Sequence, residues 1–247
     1  MPSRRSGPDA RVRVLRAATK LLATGGRTAV TTRAVCSAAG VQPPTIYRHF
    51  GDMQGLLDEV ARETLAVHVR EQTERALTND PVDDLRQGWN LHIAFGLAHT
   101  DAFALLYSAP SVTASRSVIH EGVAVLEGLV ARIAEAGRLR VDVALATELI
   151  HAAGTGVTLA LAATPPEERD LRLSESMREA VLDAITVPAS VETHEGRPDA
   201  LTPDRVAVHA VALQSLLTVA PNVLTPAEQA LLSDWLERLS RSHAANP

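Results

Sequence analysis

A glycine set between two short segments of helical pattern constrains this chain more than any other feature. Residues 31–50 read TTRAVCSAAGVQPPTIYRHF. In the first segment, residues 32–39, Val35, Cys36 and Ala39 recur at helical spacing. Thr31 or Thr32 supplies an oxygen for the unpaired N–H groups at a helix start. Gly40 then breaks the helix and permits the positive φ that a tight turn between helices requires, and Val41 fills the corner. The second segment, residues 42–50, has Pro43 and Pro44 in its first turn, where a missing N–H costs little. Ile46 and Phe50 lie four apart on one side. Thr45, Tyr47, Arg48 and His49 fall on or near the other. Two short helices at an angle, the second with a polar outer side, make a helix-turn-helix.

Charge points the same way. Residues 1–50 hold Arg4, Arg5, Arg11, Arg13, Arg16, Lys20, Arg27, Arg33 and Arg48 against Asp9 alone, a net charge of +8. The whole chain carries −5, so the remainder carries −13. A basic head neutralises phosphates and releases their counterions, which supplies much of the affinity for DNA. The acidic remainder is repelled by DNA and orients the molecule. Lys20 is the only lysine, and arginine's planar fork suits phosphates and guanine edges.

The ordered string TTRAVCSAAGV, then PTIYRHF, then Gly51-Asp52-Met53 leading into Leu56-Leu57, resembles the TetR family of bacterial transcriptional regulators. The motifs cover roughly the first fifth of the chain; beyond them only the helical layout is similar. The resemblance implies phosphate contacts from Thr32, Arg33, Tyr47 and His49, which fix register without reading sequence. Base reading falls to Gln42, Pro43, Pro44, Thr45 and Arg48. Arg48 is suited to a guanine and Pro44 to a thymine methyl. For Tyr47 and His49 the plainer alternatives stay open, a ring packed on the first helix and a surface histidine. Met53 departs from the family's usual lysine, which commonly touches a phosphate; Arg33 or Arg27 would have to compensate.

The remaining pattern is helical throughout. Only 3% of residues are aromatic, so the core must be built from Ala, Leu and Val, of which Ala and Leu favour helices. Helices are expected over about 10–25, 53–77, 82–99, 101–108, 112–136, 141–163 and 171–187. Two more are expected to open at Thr202-Pro203 and Thr225-Pro226, the second with a capping box. Val14, Ala17, Ala18, Leu21 and Leu22 form the first stripe. Leu56, Val60 and Val67 form that of the fourth helix, and Ile119, Val123, Leu126, Val130 and Ile133 that of the helix over 112–136. Val206, Leu213 and Leu217, then Leu232, Trp235 and Leu239, form the last two. Residues 188–200 read as a loop. The expected architecture is all-α: a three-helix DNA-binding domain over 1–52, a linking helix over 53–77, and a helical effector-binding and dimerisation domain over 78–247.

Cys36 is the only cysteine, which excludes an internal disulfide; its place in the helix pair reads as packing. The start has no basic-then-apolar signal, and the expected location is the cytoplasm. The apolar window 143–163 is interrupted by Glu148, His151, Thr155 and Thr158, and charged groups are costly in hydrocarbon. It reads as a buried helix at a subunit interface rather than a membrane span, with Ala152, Gly154 and Gly156 allowing close approach.

Resemblance implies a small-molecule effector in the body and a homodimer on a palindromic double-stranded DNA operator. Trp89, His92, Phe95 and His99 recur along one helix face; Phe103 and Tyr107 follow, and His120 and His151 lie on neighbouring expected helices. These eight residues read either as a pocket lining or as ordinary core. The histidines match no known metal-ligand spacing, so no metal and no cofactor is expected. No nucleophile–base pair or phosphate loop suggests an enzyme. A helical protein-interaction adaptor and a metal-responsive regulator are the alternatives to a DNA-binding repressor.

Overall fold

A computed structural model describes residues 8–108, 113–187, 203–217 and 224–241. The chain is helical throughout them. The α-helices are α1 Pro8–Ala29, α2 Thr32–Ala39, α3 Pro43–Phe50, α4 Met53–Glu74, α5 Pro81–Ala98, α6 Thr100–Ser108, α7 Thr113–Glu135, α8 Val143–Ala162, α9 Arg172–Ile185, α10 Pro203–Leu217 and α11 Pro226–Arg241. A 3-10 turn at Pro166–Glu168 and an isolated bridge between Leu139 and Thr186 are the additions that helical periodicity does not reveal. Arg4, Arg5, the expected loop over 188–200 and the Thr202 cap lie outside the described residues.

The described residues fall into two compact units. The first draws on Met1–Arg75, Ile93–Gly122 and Thr158–Arg169, the second on Ala76–His92, Val123–Val157 and Asp170–Pro247. In the first, α1 packs on α2, α3, α4 and α6, and α4 also meets α3 and α6. Val14, Ala18 and Leu22 of α1 are buried as expected, with Val35, Ala39, Ile46, Leu56 and Val60. Close approach governs the rest of this unit. A methyl placed on Gly96 would lie 2.1 Å from Thr158 Cγ2 and 3.1 Å from Phe103 Cδ2, so only a glycine lets these segments meet.

The second unit is held by polar ties as well as by apolar burial. Asp84 is fully buried. Its carboxylate accepts from the Thr78 N–H at 2.9 Å and from the Arg132 guanidinium, which also reaches the Thr78 carbonyl at 2.8 Å. Burial raises the Asp84 pKa, but the Arg132 and Thr78 hydrogen bonds and the Arg132 charge outweigh it, so the net shift is downward. Trp89 Nε1 donates to Ser174 Oγ at 2.9 Å, tying α5 to α9. Arg86 forks onto Glu179 at 3.1 and 3.2 Å.

Three expectations about stripes and ends are corrected. The fourth helix stops at Glu74 rather than Leu77, and Arg75 is extended. Beyond that end, the Asp84–Arg132 pair holds both backbone groups of Thr78. Val67 points outward at 45% exposure, while Leu57, Ala61, Leu65 and Val69 are buried beside Leu56 and Val60. In the terminal hairpin, Leu213, Trp235 and Leu239 are exposed, whereas Ala207, Val208, Ala210, Val211 and Leu236 are buried. Helix α11 carries two apolar rows; α10 and α11 pack on each other, and the row that is buried contains Leu236.

Candidate nucleic-acid interface

The head is assembled by caps and clips whose residues are local to it. Thr31 is extended, with φ −103° and ψ 154°, and its hydroxyl accepts from the Ala34 N–H at 3.2 Å, a helix N-cap. Gly40 ends α2 at φ 63° and ψ 44°, the left-handed region that favours glycine. Ile46, fully buried, anchors α3. Asp52 caps α4 by accepting from the Gly55 N–H at 2.7 Å. A side chain on Gly55 would stand 2.2 Å from the Phe50 carbonyl oxygen, so this glycine lets α4 start directly under the end of α3.

Several head arginines are spent inside the head. Arg11 pairs with Glu59 and sits 5.5 Å over the Phe50 ring, a cation–π contact. Glu59 is also bonded by Arg62 at 2.8 Å. The Arg62 hydrogen bond lowers the Glu59 pKa most; burial opposes it, and Arg11 lowers it further. Arg13 Nε donates to the Ala39 carbonyl at 3.1 Å, clipping the end of α2 to α1. Arg27 donates to Gln54 at 2.8 Å. Arg16, Lys20, Arg33 and Arg48 are exposed and have no ion pair or side-chain hydrogen bond among the described residues.

The candidate DNA-contacting residues are distributed along one short stretch. Gln42, Pro43, Pro44, Tyr47, Arg48 and Arg33 are exposed, and Thr32, Thr45 and His49 are half-buried. Tyr47 is 49% exposed. The His49 ring lies edge-on to Phe50 at 6.3 Å between centroids, and its buried Nε2 has no hydrogen-bond partner among the described residues. Arg16 and Lys20, four apart on α1, were absent from the sequence-derived set; that spacing, which puts two cations on one helix face, is the signal that would have found them.

The body residues gather in smaller groups. Trp89 and His92 lie against Gly154, with Trp89 Cζ3 3.7 Å and His92 Cδ2 3.6 Å from the place a methyl would take. Trp89 is buried and hydrogen-bonded. Phe95 stacks on His68 at 4.3 Å and lies 5.2 Å from His99. Phe103 is fully buried, with Tyr107 at 4.6 Å. His120 is exposed on α7. His151 is half-buried, and burial lowers its pKa. For His68, burial is the largest lowering influence; the charge of Glu71 opposes it and that of His99 adds to it. Among the described residues no cluster of three or more His, Cys, Asp or Glu side chains is arranged to hold a metal.

Comparison with known proteins agrees with this geometry. Residues 14–60 match the family described as bacterial regulatory proteins, tetR family. No curated protein matches the chain. Among solved structures, a protein of unknown function from Rhodococcus sp. RHA1 is 18% identical, with a TM-score of 0.60 over 76% of this chain and 100% of that one. A protein described as a tetR family transcription regulator, from Shewanella sp. PV-4, is 19% identical, with a TM-score of 0.54 over 72% and 99%. The transcriptional regulator FadR from Bacillus subtilis, solved in complex with stearoyl-CoA, is 16% identical, with a TM-score of 0.56 over 70% and 98%. Residues 14–60 therefore carry the match to the tetR family of bacterial regulatory proteins, and the chain shares the fold of these solved structures.

Proposed function

We propose that the protein is a cytoplasmic transcriptional repressor that binds a palindromic operator as a homodimer and is released by a small-molecule effector. The DNA-binding domain is 1–52, joined by the helix over 53–77 to an effector-binding and dimerisation body over 78–247. The observation that carries this reading is the set of exposed side chains on the helix-turn-helix, Arg33, Tyr47 and Arg48, the two arginines having no ion pair or side-chain hydrogen bond among the described residues. Arg48 reads a base, Thr32, Arg33, Tyr47 and His49 hold phosphates, and Gln42, Pro43, Pro44 and Thr45 line the groove. Arg33 replaces the cation missing at Met53, because Arg27 is already bonded to Gln54.

A dimer surface is available on α8 and α9. Leu145 and Leu149 of α8 are 43% and 42% exposed, and Ala152 and Gly156 continue their row. Leu173 and Met177 of α9 are exposed four residues apart. An isologous contact through such rows sets two recognition helices at fixed spacing, which palindromic sites require. The bound stearoyl-CoA of the Bacillus subtilis neighbour supports a small-molecule effector for this fold; the candidates to line its site here are Trp89, His92, Phe95, His99, Phe103, Tyr107, His120 and His151.

The test is a gel shift on DNA from upstream of the chain's own gene. Arg48→Ala should relax preference at one base position by about 1–3 kcal/mol, and Tyr47→Phe should weaken all sequences alike. Normal binding of every sequence by both variants would remove α3 from the interface.

A further inference from the structure

The first unit holds a second feature, away from the exposed face of α3. A cleft of about 310 Å³ opens where α1, α4 and the α5–α6 junction meet. Its floor is buried and apolar, formed by Leu22, Val60 and Ala102, and Val67 stands on its wall at 45% exposure. The outward turn of Val67 thus leaves an apolar side chain facing a recess.

The charged groups around that floor are carboxylates, and His99 and Thr100, which also line it, can accept as well as donate. Glu63 and Asp101 both line the cleft, and no lysine or arginine is among the described residues lining it. The Thr19 and Thr64 hydroxyls already donate, to the Leu15 carbonyl at 2.9 Å and the Val60 carbonyl at 2.8 Å, so each offers only its lone pairs. Asp101 faces Gly26, its Oδ2 lying 3.2 Å from where a methyl on that glycine would be. A ligand here must bring donors and positive charge to the rim and an apolar group to the floor. The volume is at the low end of the roughly 300–1,000 Å³ of small-molecule sites, which suits a compact one-ring amine.

We propose that this cleft binds a small amphipathic ammonium ion, a primary amine carrying one short apolar group. Because α1 packs directly on α2 and α3, an occupant between α1, α4 and α6 would press on the helix that carries the head, making the cleft a regulatory site. That consequence rests on the DNA-binding reading above; the binding does not.

The test is calorimetric titration of the full chain, without DNA, using benzylammonium chloride as probe and benzyl alcohol as its neutral counterpart. Expected is saturable one-site binding of benzylammonium with Kd in the low-millimolar range. Benzyl alcohol should bind at least about tenfold more weakly. The double variant Glu63→Gln/Asp101→Asn should lose at least about tenfold in affinity for benzylammonium, and Ala23→Phe, which fills the cleft from α1, should abolish binding. Far-UV circular dichroism and melting confirm that both variants are folded. Equal binding of the two probes, binding unchanged in both variants, or no saturation would overturn the proposal. In a gel shift, benzylammonium should change the DNA affinity of the natural chain and not that of the carboxamide variant. Unchanged DNA affinity with benzylammonium bound would overturn the regulatory role. A chain that binds no DNA would count against the repressor, and the calorimetry would still decide the site.

Discussion

Replacing Gly96 by alanine sets two opposed effects against each other inside the first unit. Alanine favours an exposed helix interior over glycine by about 0.8–1 kcal/mol, so on propensity alone Gly96→Ala would stabilise. The new methyl, however, would stand 2.1 Å from Thr158 Cγ2 and 3.1 and 3.3 Å from two Phe103 ring carbons. Carbon atoms meet comfortably at about 3.5–4.0 Å, so Thr158 must retreat by about 1.5 Å. It is fully buried, as is Phe103, and its branched side chain has few alternative rotamers. Overpacking of this kind costs about 1–3 kcal/mol; an overlap this deep belongs at the upper end, leaving a net loss of about 2 kcal/mol. Thr158→Ser removes the clashing methyl and keeps the hydroxyl. In that background Gly96→Ala should cost less than half as much, because only the milder contact with Phe103 remains. The assay is urea unfolding followed by far-UV circular dichroism on all four proteins at one fixed protein concentration, because the proposed dimer would make stability concentration-dependent. A neutral or stabilising Gly96→Ala, or an equal penalty in both backgrounds, would refute the argument that close approach to Thr158 fixes this glycine.

Arg132→Met should leave the buried Asp84 carboxylate without its cation and cost about 3 kcal/mol at neutral pH. In the natural chain the lowered Asp84 pKa gives stability that is present above the unfolded value of about 3.9 and is lost as pH falls through the folded one. In the variant the Arg132 hydrogen bond and charge are gone, so only the Thr78 bonds oppose burial and the Asp84 pKa rises relative to the natural chain. The stability gap between the two proteins should therefore narrow from pH 7 toward pH 4, and a gap of the same size at both, by urea unfolding, would show that charge is not its cause. Gly40→Ala should destabilise the head by about 1 kcal/mol through the backbone alone, because φ is 63° and nothing lies within 4 Å of the added methyl; hydrogen exchange of the α2–α3 amides measures it. The salt dependence of DNA binding should reflect free cations only. With Arg48 on a base, Arg16, Lys20 and Arg33 give six phosphate contacts per dimer, hence a slope of log K against log salt of about −5.

The helices were legible where periodicity and punctuation coincide. Gly40 and the Thr31 cap place the ends of α2 in the sequence itself, and the structure keeps both. The short α3 begins at Pro43 as its double proline requires. The misses have one cause, a partner distant in sequence. The non-helical Thr78 past α4 is held by Asp84 and Arg132, six and 54 residues away. The outward turn of Val67, and the choice between two apolar rows on α11, depend on what each helix packs against. Periodicity offers the rows and cannot rank them.

The candidate interface shows the same boundary between type and use. Charge counting finds nine cations in the first 50 residues and treats them alike. In the folded head Arg11 holds Glu59 and covers Phe50, Arg13 clips α2 to α1, and Arg27 bonds Gln54. These three fix the geometry in which α3 is presented, while Arg16, Lys20, Arg33 and Arg48 remain available to a ligand. Arg11, paired with a carboxylate, has little charge left to release a counterion, and Arg13 and Arg27, bonded to neutral oxygens, keep their charge but are held to the head by those bonds, so all three contribute to DNA affinity first through positioning. The two groups therefore separate by experiment. Arg33→Ala should flatten the salt slope by about 2 per dimer and leave the melting temperature alone. Arg13→Ala should lower the melting temperature and leave the slope nearly unchanged. If Arg13→Ala flattens the slope as much as Arg33→Ala does, the clip to Ala39 is broken on DNA, and the head that binds is not the head described for the free chain.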